Sequence, residues 1–150
     1  MTYWRMQLHP NDASRASEHA ARSLSAGFIG LDFESEPGDL MLADQQSVAA
    51  SQRDYFAFAH QMAVGDSVLI MAHHLPFALC TVAGDYNYIR RIEVELGIWF
   101  RHFRRISDVR LYADRTTNAH NWPRITMTDT ISPLHDPQSQ SYQLIHTWSL

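Results

Sequence analysis

The chain contains no lysine: all 12 of its basic residues are arginine. It has a single cysteine, Cys80, set inside an apolar run. One cysteine excludes a Cys-based zinc site and an internal disulfide, and in that setting it reads as a small buried hydrophobe. No apolar run approaches the roughly 20 residues of a membrane span. The opening MTYWRMQLHPND lacks the apolar core of a signal peptide, so the expected location is cytoplasmic. P-loop, G-x-G-x-x-G, G-x-S-x-G and H-E-x-x-H patterns are all missing, and no nuclease motif, internal repeat or heptad stands out. The nine histidines are scattered. His73 and His74 are adjacent, so on a strand they would point to opposite faces and could not chelate one ion. We therefore assign no catalytic residue, no metal and no cofactor.

What remains is an ordinary globular composition. The 150 residues are 45% apolar and 19% charged, which fits one domain spanning residues 1–150. The net charge of −4 gives no global pull towards nucleic acid. The distribution is more informative. Six arginines fall between Arg90 and Arg110, while acids crowd Asp32–Asp44. Arginine suits bidentate phosphate contacts and stacking. The simpler reading from composition alone is a solvated strand face paired with Glu93, Glu95 and Asp108.

The pattern along the chain centres on Gly65–Tyr88, GDSVLIMAHHLPFALCTVAGDYNY. Ser67–Met71 and Phe77–Val82 are short apolar runs that read as adjacent buried strands, joined across Ala72–Pro76. Thr2–Leu8 predicts a first strand, Ala13–Leu24 a helix behind a cap at Asn11 or Asp12, and Gly27–Phe33 a glycine-split strand. Gln46–Ala63 predicts a second helix. Gly97–Ile106, Val109–Tyr112 and Ile125–Met127 follow as strands. Pro133–Gln140 reads as turns, and Ser141–Trp148 as a closing helix or strand. The sum is an α+β fold: a curved mixed sheet or pseudo-barrel of five to six strands with flanking helices, rather than a doubly wound parallel sheet.

Aromatic residues at strand ends are candidates for stacking on a flat ligand. Tyr86 and Tyr88, in a polar turn, are the better ones; Phe28, Phe77 and Phe103 read as core. Trp99–Arg105, WFRHFRR, carries arginine on both faces of a strand, which suggests a sheet edge or groove wall. Arg101, Arg104 and Arg105 are thereby candidates for contacts to a nucleic-acid backbone.

The order of short motifs resembles the EVE domains of the PUA-like superfamily, in particular those joined to restriction nucleases that act on modified DNA. The residues that carry it are Tyr3-Trp4, the segment Gly27–Phe33, a helix leading into Gly65–Ile70, and Gly84–Tyr88. The resemblance covers Thr2 to about Ile106. It implies a PUA-like pseudo-barrel and a pocket that receives one flipped, modified base. By matching segments, the implied pocket residues are Trp4, the Gly30-Leu31-Asp32-Phe33 turn, and Asp85, Tyr86 and Tyr88. Leu31-Asp32-Phe33 stand where EVE domains often carry a tryptophan.

Two functional classes follow. The first is a non-catalytic module that recognises a modified base in DNA, or in RNA, as the specificity part of a restriction or defence system, with any nuclease fused or separate and no membrane involved. The second is a small-ligand protein or enzyme using the same pocket, with Asp32 or Asp85 as base and His73 or His102 as proton shuttle.

Overall fold

The computed structural model describes residues 1–8, 16–32, 38–41, 53–72, 74–112, 124–126 and 129–148. Its elements are β1 (Tyr3–Gln7), α1 (Ala16–Ala26), β2 (Phe28–Leu31), α2 (Arg53–Phe56, continuing as a π-wound turn over Ala57–Gln61), β3 (Ser67–Ala72), β4 (Leu75–Val82), β5 (Asn87–Tyr88), β6 (His102–Leu111), β7 (Ile131–Leu134) and α3 (Gln140–Trp148). The strands form one sheet in the order β2-β6-β4-β3-β1-β7, with the short β5 beside β6. Among the described strands only β1 and β3 run parallel; the other pairs are antiparallel. The result is an α+β fold, a curled mixed half-barrel flanked, among the described residues, by three helices and consistent with a PUA-like architecture. Among the described residues no helix is long and apolar enough to cross a membrane.

The two central strands are apolar at nearly every position because both faces of the sheet are covered. Val68, Ile70, Ala72, Ala78, Cys80 and Val82 join the main core with Leu24 of α1 and Tyr55 and Phe58 of α2. Leu69, Met71 and Leu79 point the other way and pack with Leu134 and with Ile145 of α3. α1 ends at Gly27, whose φ of 86° and N–H to the Leu24 carbonyl make a left-handed helix stop.

β1 is fixed to β3 by one carboxylate. Asp66 accepts the Thr2 N–H at 2.8 Å, the Trp4 indole N–H at 2.9 Å and the Ala63 N–H at 2.9 Å. Three donors satisfy a carboxylate that is almost wholly buried. Trp4 itself is 2% exposed and sits in the main core.

Several boundaries differ from the sequence reading. The β3–β4 turn is tighter than expected, because a register shift after Ile70 brings Pro76 into the ladder opposite Met71. A bulge is one of the few places where a sheet accepts proline. Gly97–Ile106 and Val109–Tyr112 are not two strands. β6 runs unbroken from His102 to Leu111 and absorbs its bend at Asp108, which has φ 52°. Aspartate tolerates that conformation better than most residues. The segment before β6 leaves the sheet through a turn over Val94–Leu96 closed by Gly97 at φ 80°. Residues 124–126 form no strand, and the rest of the expected Ile125–Met127 strand lies outside the described residues. The last strand is instead Ile131–Leu134. It lies at the end of the sheet order, where Pro133 is tolerated. Of the expected Gln46–Ala63 helix, residues 53–63 are described, and the helix there covers Arg53–Gln61 and stops before Met62.

Two outcomes check this packing. Burial pushes the Cys80 thiol up to about 12, so native protein should resist thiol-alkylating reagents at neutral pH and react fully once unfolded. A Cβ added at Gly30 would lie 2.5 Å from the His102 carbonyl oxygen and 2.6 Å from the Phe100 Cβ. Gly30→Ala should therefore destabilise the fold by about 1–3 kcal/mol in urea titration; an unchanged midpoint would show that β6 can move aside.

Candidate functional site

β6 enters the sheet at His102, and its alternation turns His102, Arg104 and Ile106 inward. His102 is 0% exposed. Its Nδ1 lies 2.6 Å from the Tyr86 hydroxyl. That hydroxyl also accepts the Leu40 N–H at 3.3 Å. The phenol and the imidazole thus share one buried hydrogen bond at Nδ1. Three tyrosine rings gather round this histidine: Tyr55 at 4.5 Å between centroids, Tyr88 at 5.0 Å and Tyr86 at 5.8 Å. Phe58 meets Tyr86 edge-on at 6.3 Å. Leu40 is held at both its N–H and its carbonyl, because His60 Nε2 lies 3.0 Å from the latter.

Beside the cluster, Asp32 follows the last residue of β2 and Arg101 precedes the first of β6. The Arg101 Nε donates to both Asp32 carboxylate oxygens, at 2.9 and 3.1 Å, and its terminal nitrogen adds a further bond. The Asp32 side chain is 9% exposed and that of Arg101 is 29%. This is a forked, partly buried ion pair rather than a surface contact. A carboxylate committed to a guanidinium has little capacity left as a general base, and His102 is bonded to a phenol.

The residues expected to line a pocket separate on this structure. Tyr86, Tyr88 and Asp32 come together at the β2, β5 and β6 junction. Trp4 does not join them as a wall, because its ring is closed within the core and its N–H is spent on Asp66. Gly30 and Leu31 are not a turn but the second half of β2, paired with Phe103 and His102. Gly30 is required there by the close approach of Phe100. Leu31 is buried core. Asp85 is exposed in the turn before β5. Phe33 and His73 lie outside the described residues. Of the two stacking candidates, Tyr86 is 9% exposed with its hydroxyl engaged, and half-buried Tyr88 is the ring of the cluster nearer to solvent.

The three expected backbone contacts also divide. Arg105 is exposed and lies over the Phe28 ring, 5.2 Å from its centroid. Arg101 is tied to Asp32. Arg104 is withdrawn from solvent altogether, at 3% exposure. Its guanidinium donates to the carbonyls of Phe58 at 3.0 Å, Ala59 at 3.2 Å, Met62 at 2.8 Å and Gly84 at 3.0 Å. Arginine on the inner face of β6 is therefore not a groove wall; carbonyls at the end of α2 replace the water it lost. Burial lowers its pKa, opposed by the charges of Asp85 and Asp66.

Sequence reasoning passed over Tyr55. Its signal is present: Tyr55, Phe58, Ala59 and Met62 recur at helical spacing, and all four are buried. The two exposed arginines Arg90 and Arg91 lie just beyond β5, where Ile89 donates its N–H to the Arg101 carbonyl and returns the chain to this junction.

No protein-family model matches the chain, and no curated protein matches it. Among solved structures, it is similar to the crystal structure of the MmI1 YTH domain, with a TM-score of 0.47 and 11% identity over 99% of this chain and 97% of that one. At that score and identity the likeness carries no argument about function.

The Arg104 arrangement can be tested directly. Lysine keeps the charge but cannot present a planar fork to four carbonyls. Arg104→Lys should destabilise the fold by about 3 kcal/mol, measured by urea denaturation, through carbonyls left without donors. Full stability in this variant would mean that water can replace the guanidinium.

Proposed function

We propose that this chain is a non-catalytic binding module that recognises a modified base in DNA, or in RNA. The observation that carries the reading is the clustering of Tyr55, Tyr86 and Tyr88 around His102 at one junction of a curled sheet, with the Asp32–Arg101 pair alongside. An aromatic platform with a few placed polar groups is the chemistry that holds a flat heterocycle. Extruding a base from a duplex costs a few kcal/mol, which stacking and edge contacts must offset.

In this reading Tyr88 is the stacking residue, since Tyr55 and Tyr86 are enclosed. The Asp32–Arg101 pair offers the base edge an acceptor and a donor within one fork. Arg105, Arg90 and Arg91 are the exposed cations available to phosphates. The resemblance to EVE domains shares only Asp32, Tyr86 and Tyr88 with this assignment; carried further, it makes the chain the specificity part of a modification-dependent restriction or defence system. Cleavage in such a system falls to a nuclease partner or a fused nuclease domain.

The test is titration of short duplexes and single strands, each with and without modified bases, at low salt. Saturable binding with a preference for one modification is expected. Tyr88→Ala should cost about 1–3 kcal/mol and reduce that preference. Arg105→Ala should weaken all ligands alike and lower the salt slope by about one. Indifference of the parent protein to every nucleic acid at low salt would overturn the proposal.

A further inference from the structure

Tyr88, the ring of the cluster that solvent reaches, is held by little backbone. β5 is two residues long, Asn87–Tyr88, and among the described residues it pairs with β6 alone. One more bond follows it, from the Ile89 N–H to the Arg101 carbonyl. A ladder so short sets the direction of the chain but not the angle of a ring, because the torsion that turns a tyrosine ring is broad. The angle comes from what the ring packs against.

That neighbour is His102. The two residues face each other directly across the β5–β6 ladder, and their rings lie 5.0 Å apart at 45°. Directly opposed side chains are the closest cross-strand neighbours in a sheet. The imidazole is fixed on its other sides. Tyr55 lies 4.5 Å from it at 52°. Its Nδ1 shares the 2.6 Å hydrogen bond with the Tyr86 hydroxyl, which also takes the Leu40 N–H at 3.3 Å.

Packing alone does not call for a histidine here. The residue is 0% exposed, and a phenyl ring would fill nearly the same space with no polar atom to withdraw from water. A buried side-chain hydrogen bond adds little net stability over an apolar pair of the same shape. What the bond supplies is direction. It selects one rotation of the imidazole, and the imidazole then presents one face to Tyr88. A wall whose tilt is fixed before binding discriminates between ligands better than one that turns. From this geometry we infer that His102 is the positioning residue of the base-binding surface: locked by Tyr86, it sets the tilt of Tyr88 without touching the ligand. The inference rests on the nucleic-acid reading above and adds to it the group that sets its selectivity.

Two variants separate this role from one in folding alone. His102→Phe keeps a ring and removes the bond, whereas Tyr86→Phe keeps every ring and removes one oxygen. Each is titrated with short duplexes and single strands carrying a methylated cytosine, a hydroxymethylated cytosine or a methylated adenine, beside their unmodified counterparts. Each is also unfolded in urea. In both variants the affinity ratio of the preferred modified ligand to its counterpart should fall about fivefold or more, within the range that one stacking partner supplies. The salt slope should stay at the parent value, because Arg90, Arg91 and Arg105 are untouched. A loss of affinity for all ligands alike, in step with a lower urea midpoint, would make His102 a structural residue and overturn the inference. So would an unchanged affinity ratio in Tyr86→Phe, which decides the matter where His102→Phe does not fold. A parent protein that binds no nucleic acid, or binds it without preferring any modification, sinks the reading itself, and this inference falls with it.

Discussion

The placing of Arg104 governs how the helix, the sheet and the β4–β5 turn meet. One guanidinium holds three carbonyls near the end of α2 and a fourth at Gly84. Helix ends leave carbonyls without intrahelical partners, and a buried end needs donors from elsewhere. Here a strand supplies them. A π-wound last turn, Ala57–Gln61, offers carbonyls to a single flat side chain. The Phe58 ring then lies 5.7 Å from the same cation. The balance is unforgiving, because the group that satisfies four acceptors is also a charge withdrawn from water.

That anchorage sets the candidate site. Tyr55 and Phe58 come from α2, Tyr86 and Tyr88 from the chain around β5, and His102 from β6. Arg104 and Gly84 bind the same three regions two residues away from His102 and Tyr86. The tyrosine cluster is therefore positioned by contacts that lie beneath it. His60 and Tyr86 add Leu40 to the assembly by holding its carbonyl and its N–H. The polar bonds inside the cluster are internal, and Tyr88 and Arg101 are the parts of it that solvent reaches.

The central strands, α1 and the fold class were legible in the sequence, and for a physical reason. Strands buried on both faces must be apolar at each position, and Val68–Met71 and Phe77–Val82 are. β7 was hidden by Pro133, which counts against a strand everywhere except at an edge or bulge. The division of WFRHFRR was half legible. Strand alternation gave the faces correctly, with His102 and Arg104 on one side and Phe103 and Arg105 on the other. It could not show that the Arg104 side faces inward, because that depends on carbonyls contributed from 42 to 46 residues earlier. Asp32 was read as a pocket residue or a base, and its pairing with Arg101 spans 69 residues. Local pattern gives each residue its face; long-range partners decide what it does there.

The position of β1 has a consequence for how the molecule forms. This strand comes first in the chain yet lies inside the sheet, between β3 and β7. Its tie to Asp66 joins Trp4 to a residue 62 positions later, and Arg5 reaches Ser141 across 136. Neighbours so far apart cannot be nucleated locally, and closing such loops slows folding. On a ribosome the segment around Trp4 would emerge long before either strand that covers it. The β3–β4 hairpin can pair as soon as it is made, so it is the natural first nucleus, and β1 must wait, with a tryptophan uncovered, until that nucleus offers it an edge.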